Sequence, residues 1–164
     1  MPDCKVCLNL TGISAKADKT RVILDCGYGF EVVLQNPGSS FRINNVTLTS
    51  KRGQAGLWVS DGAEIILSDC ILKGFNTGIK LSGPKTLSLF KWTEFINCQT
   101  AIEVDDGAKC DFLGGLIEEC EVGLKIRSKQ QGDLEEAGIS IEDVDNYSVK
   151  KIEFVHVPNE KINN

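Results

Sequence analysis

Four residues in the order small, apolar, variable, apolar recur along the chain: Gly56-Leu57-Trp58-Val59, Gly78-Ile79-Lys80-Leu81, Ala101-Ile102-Glu103-Val104 and Gly123-Leu124-Lys125-Ile126. Their steps are 22, 23 and 22 residues. A fixed period of this size means stacked structural units, and it constrains the chain more than any local signal. Two further registers keep the same period. Leu72, Phe95 and Ile117 stand six positions before the last three segments, with Leu48 a coil earlier, and Cys98 and Cys120 stand three positions before the last two. A third run follows, in which Ile65 and Leu67, Leu87 and Leu89, and Cys110 and Phe112 alternate with Ile66, Ser88 and Asp111.

Alternation at period two places one set of side chains on each face of a strand, so the constant apolar set faces inward. Turn chemistry separates the runs: Ser60-Asp61-Gly62, Asn76-Thr77-Gly78, Ser82-Gly83 and Asp105-Asp106-Gly107, where glycine supplies positive φ and Asp or Asn bonds its own backbone. No run is long enough for an ordinary amphipathic helix. Three strands and three turns per coil, stacked at roughly 4.8 Å, form ladders of equivalent residues. Leu57, Ile79, Ile102 and Leu124 stack in one, and Val59, Leu81, Val104 and Ile126 in the next. Each burial stabilises by about 1.5–3 kcal/mol, and no coil can hide its apolar face without neighbours.

These segments resemble the right-handed parallel β-helix repeats of the pectin-lyase-like superfamily, best over residues 45–128. The expected fold is therefore all-β, a right-handed parallel β-helix of about six to seven coils with roughly 22 residues each. At 164 residues it is read as one domain: 1–20 an N-terminal cap or first coil, 21–128 regular coils, and 129–164 an irregular C-terminal coil or cap. Thr20–Gly27 and Phe41-Arg42-Ile43-Asn44 look like earlier coils, with Ile23, Val32 or Val33, and Ile43 inward. Gly138-Ile139-Ser140-Ile141 repeats the signature 15 positions after Gly123, as a coil resumed after a detour or as a closing hairpin with Ile152, Phe154 and Val157.

The net charge of −5 and the scattered Lys and Arg argue against nucleic acid, which demands a basic footprint. No apolar stretch is long enough to span a membrane, and the N-terminus carries no basic-then-apolar signal pattern. Seven cysteines, an odd count in a chain too long for a small disulfide scaffold, lean toward an intracellular setting.

Outside the cylinder, Trp58, Lys80, Glu103 and Lys125 form one ladder, with Ser60, Ser82, Asp105 and Arg127 beside it. Trp58 can stack on a sugar ring while Lys80, Glu103, Lys125 and Arg127 bond its polar groups. The plainer alternative is an exposed charge ladder that keeps a sheet soluble. The superfamily's pectin hydrolases use paired aspartates as acid and base, so Asp105-Asp106 is the catalytic candidate that the resemblance implies. The rest of that pattern is missing: His156 is the one histidine, and Lys125-Ile126-Arg127 reverses the family's Arg-x-Lys. No cofactor is implied. Calcium, which the superfamily's lyases bind through aspartates, gains no support, because the register gathers no three of Asp61, Asp69, Asp105, Asp106 and Asp111.

Cys4-x-x-Cys7 is half a zinc or redox motif with no second half. Cys98, Cys110 and Cys120 read as small core residues. Trp92, Phe90 and Ile66 are candidates for an outward apolar strip, with Trp92 as core the alternative, because one extra residue enters between Pro84 and Phe95. The preferred function is a non-catalytic scaffold or interaction module, self-associating or part of a larger assembly or fibre. The alternative is a carbohydrate-active protein, a lyase or glycoside hydrolase if an enzyme, acting on an acidic polysaccharide in a lateral groove. The fold serves either.

Overall fold

A computed structural model of the chain describes residues 7–11, 22–25, 32–34, 38–105, 107–128, 134–135, 137–147 and 152–156. Among the described residues there are thirteen strands: β1 (Cys7–Thr11), β2 (Val22–Asp25), β3 (Val32–Leu34), β4 (Ser40–Asn44), β5 (Val46–Val59), β6 (Glu64–Ser68), β7 (Ile71–Leu81), β8 (Leu87–Ile96), β9 (Thr100–Asp105), β10 (Lys109–Glu118), β11 (Val122–Ser128), β12 (Ile139–Tyr147) and β13 (Ile152–His156). The pairings among them are parallel. They sort into three faces.

The first face stacks β1, β4, β6 and the opening halves of β8, β10 and β12. The second stacks β2, the openings of β5 and β7, and the closing halves of β8, β10 and β12. The third stacks β3, the ends of β5 and β7, then β9, β11 and β13. The chain is a β-solenoid, with six rungs on each face among the described residues.

Only the middle of the stack keeps the expected period. Cys7 lies opposite Ser40, Ser40 opposite Glu64, Glu64 opposite Leu87 and Leu87 opposite Lys109, steps of 33, 24, 23 and 22 residues. Cys110 lies opposite Ile139, a step of 29. Four turns, over residues 40–128, keep the regular spacing expected of six to seven coils; the end rungs are separated from them by longer stretches of sequence. Beyond the polar stretch after Ser128 the solenoid resumes, since β12 and β13 run parallel to β10 and β11 and form no hairpin. Ile139 and Ile141 pair with Cys110 and Phe112 on the first face, not on the third, where the signature placed them.

The inward ladders of the third face are Leu57, Ile79, Ile102 and Leu124, and Val59, Leu81, Val104 and Ile126, all buried. Leu48, Leu72, Phe95 and Ile117 line the second, and Ile43 is buried on the first. Val32 takes the register position of the inward Leu57, as expected, but Ile23 takes that of Thr47, which alternates with the inward Val46 and Leu48, so the inward register of β2 falls on Val22 and Leu24. Phe90, Phe95 and Phe112 meet edge-on, with ring centroids 5.8, 5.9 and 5.8 Å apart. That geometry adds about 0.5–1.5 kcal/mol per pair beyond burial.

One expected register is wrong by a single residue. Ser88 lies opposite Ile65 and Cys110, and Phe90 opposite Leu67 and Phe112. Ser88 and Phe90 therefore face inward, and Leu87 and Leu89 face solvent. The extra residue sits in the turn between Leu81 and Thr86, which spans five positions where Val59 to Ala63 spans four. Thr86 takes the buried place of Ala63 and Ala108, its Oγ1 donating to Ser82 O at 2.7 Å and accepting from Gly62 N at 3.1 Å. The inward Ser88 hydroxyl is satisfied by Lys109 O at 3.2 Å.

The corners from the first face to the second and from the second to the third turn on left-handed residues. Asn45, Asp69, Trp92, Gly114 and Asp143 stack between the first and second faces at φ of +50° to +69°, and Gly74, Asn97 and Glu119 between the second and third. Asn76-Thr77-Gly78 is strand and not the expected turn. Gly78 is required by space, since a Cβ there would lie 2.7 Å from Ala101 O.

Candidate functional site

The third face gathers the residues singled out from the sequence. Trp58 pairs in register with Lys80, Lys80 with Glu103, and Glu103 with Lys125, while Arg127 pairs with Asp105. Glu153 of β13 extends the column beyond Lys125, where the irregular spacing hid it. Alternation aims all of these outward, because their neighbours Leu57, Ile79, Ile102 and Leu124 fill the core.

Glu103 and Asp105 lie on one coil and are clasped from both sides. Lys80 Nζ stands 3.4 Å from Glu103 Oε1 and 3.4 Å from Asp105 Oδ2. From the opposite coil, Arg127 Nε stands 3.4 Å from Glu103 Oε1 and 3.7 Å from Asp105 Oδ1, and Lys125 Nζ 4.0 Å from Glu103 Oε2. The carboxylates are covered, with side-chain exposures of 9% and 11%, whereas Arg127 retains 42%. The ladder is thus no exposed surface pattern: its acidic half is buried beneath its basic half.

Asp105 Oδ1 is buried without a hydrogen bond, since the Arg127 Nε approach is too long for one. Desolvation pushes the Asp105 carboxyl above its ordinary range, against the downward pull of Lys80, with Glu103 adding to the rise. Trp58 is half-buried; its Nε1 donates to Ser82 Oγ at 3.1 Å, and Lys80 Nζ lies 5.8 Å from its ring centre, within cation–π range. Over these carboxylates stand the partly exposed side chains of Lys80, Lys125 and Arg127.

Asp106 lies outside the described residues, as do Cys4 and the side chains of Cys7 and His156. Among the described residues no three His, Cys, Asp or Glu side chains converge on a metal position. Cys98, Cys110 and Cys120 are buried in the core. Burial pushes the Cys110 thiol up to about 12, beyond the range of a reactive thiolate. Of the expected outward strip, Ile66 is half-buried and Trp92 is 63% exposed, but Phe90 is fully buried by the register shift.

A second feature escaped the sequence. An open depression of about 370 Å³ is lined by Ser50, Lys51, Gly74, Phe75, Asn76, Asn97 and Gln99. It adjoins the irregularity between Thr49 and Gly53 that lengthens β5, which no periodic pattern could reveal.

Parallel rungs stacked on three faces define a parallel β-helix. A family model described as right handed beta helix region matches residues 9–159, and the chain belongs to that family. A search of curated proteins found no match, and neither did a search of solved structures. The fold is that of a scaffold or binding module in general. No helix among the described residues is long and apolar enough to cross a membrane.

Proposed function

We propose that this chain is a non-catalytic β-helix scaffold or interaction module that works within a larger assembly. The observation that carries this reading is the cross-coil clasp. The two covered carboxylates of the lateral face, Glu103 and Asp105, are engaged by Lys80, Lys125 and Arg127, so their charges stitch three coils together. A catalytic acid or base must instead reach a substrate proton.

The alternative, binding of an acidic polysaccharide, draws on one feature: the Lys80 ammonium over the half-buried Trp58, on the same face as the exposed Arg127. An array of acidic and neutral glycans, read for binding and for cleavage with the full chain, tests both. The expected result is no cleavage. Cleavage that disappears in Asp105→Ala would overturn the scaffold reading, and saturable binding without cleavage, lost in Trp58→Ala, would make the module a glycan-binding one.

A further inference from the structure

The first face differs from the third in what it shows to solvent. Its central outward column runs Arg42, Ile66, Leu89, Asp111, one residue from each regular coil. Arg42 and Asp111 are exposed and Ile66 and Leu89 half-buried. Leu87, 42% exposed, and Leu113 flank this column. Neither Arg42 nor Asp111 meets an opposite charge among the described residues.

The order positive, apolar, apolar, negative is self-complementary in one orientation. With two copies face to face and cylinder axes antiparallel, Arg42 of each faces Asp111 of the other, and Ile66 faces Leu89. The outer columns then set Ser68 against Lys91 and Glu64 against Leu87, with no like charges opposed. With the axes parallel, Arg42 would face Arg42 and Asp111 would face Asp111. Like charges in juxtaposition disfavour a partner, and that asymmetry selects the antiparallel arrangement.

We propose that the first face is a homodimer interface, two copies packing antiparallel through Ile66 and Leu89 with Arg42–Asp111 pairs at both ends. The proposal deepens the reading of the chain as an interaction module by naming a partner, a second copy. It does not depend on the third face. Strands of five residues and six rungs give a footprint on the order of 400–500 Å² per copy, so the total is near the low end of specific interfaces and the dimer is weak and concentration-dependent.

Sedimentation equilibrium from micromolar to millimolar chain tests this, with circular dichroism to verify the fold. The wild type is expected to dimerise in that range. Arg42→Asp and Asp111→Arg, each at an exposed position, should weaken self-association about tenfold or more. Mixing the two variants should restore it, because a heterodimer opposes unlike charges at both ends. Leu89→Lys should leave a folded monomer. A wild type monomeric throughout, single variants that dimerise like wild type, or a mixture that stays monomeric would each overturn the proposal. A monomer would leave the scaffold reading intact, since only cleavage in the glycan experiment removes that.

Discussion

The first and third faces stack parallel rungs over inward apolar ladders, interrupted on the first by Ser88, yet their outer sides solve opposite problems. On the third face, Glu103 and Asp105 are sealed by Lys80, Lys125 and Arg127, so the outward column is completed within the chain. On the first face, Ile66 and Leu89 separate Arg42 from Asp111 by two coils, too far for either charge to reach the other. In a solenoid, stacking fixes which residues are neighbours. Unlike charges on adjacent coils are spent on internal cross-links, whereas unlike charges two coils farther apart remain available to a partner.

The largest effect should separate inside from outside on either face. Ile102 is 1% exposed, and Ile102→Asp would bury a carboxylate with nothing to pair it. That costs more than the few kcal/mol a domain of this size can lose, so the expected outcome is loss of the cooperative unfolding transition. Ile66→Asp makes the same change on the outward side of the first face and should leave the fold intact. Circular dichroism and urea titration of the pair check it: a folded Ile102→Asp would mean that the inward register on the third face is misplaced.

A smaller effect distinguishes the two outer columns from each other. Glu103→Ala removes the shared anion between Lys80, Lys125 and Arg127. Because the carboxylate is covered while its cations are partly solvated, the expected destabilisation is about 1–2 kcal/mol. Asp111→Ala, which breaks no internal pair, should change monomer stability by no more than about 0.5 kcal/mol. Equal losses from urea denaturation at low protein concentration would erase the contrast drawn between the faces.

How much of this was readable from residues alone follows from the same stacking logic. The columns through Leu57, Ile79, Ile102 and Leu124 were legible because each carries both the repeat and an unbroken strand alternation. Leu87-Ser88-Leu89-Phe90 was not, since apolar residues occupy both parities and the inserted residue lies in the preceding turn. There Phe90 wins the inward place by completing the edge-on cluster with Phe95 and Phe112, while Ser88 is kept inside by its bond to Lys109 O. On the third face the membership of the ladder was legible, but its depth was not. Burial of Glu103 and Asp105 depends on how Lys80 and Arg127 fold over them, which spacing does not encode. The stacking of Trp92 over Gly114 was likewise invisible: a Cβ on Gly114 would lie 2.8 Å from the indole, so a glycine one coil away makes room for a tryptophan in a left-handed corner.

The finest test asks whether the clasp on the third face stabilises through Asp105 or despite it. Desolvation raises the Asp105 carboxyl above its ordinary value of 3.8, outweighing Lys80 and Arg127. A raised value means that the folded chain holds this proton more tightly than the unfolded chain. Stability then falls as pH rises from about 3.8 through the raised folded value, and stays lowered at neutral pH. Asp105→Asn keeps the shape and removes the titration. It should be at least as stable as wild type at pH 7, and the advantage should vanish as the pH drops below about 3.8. Urea denaturation of both chains between pH 3 and 7 checks the sign. A variant less stable than wild type at neutral pH, with the gap closing in acid, would mean that the ion pairs to Lys80 and Arg127 overcome the burial of an oxygen, Oδ1, that has no hydrogen bond. Asp105 would then belong with Glu103 as a stabilising member of the clasp.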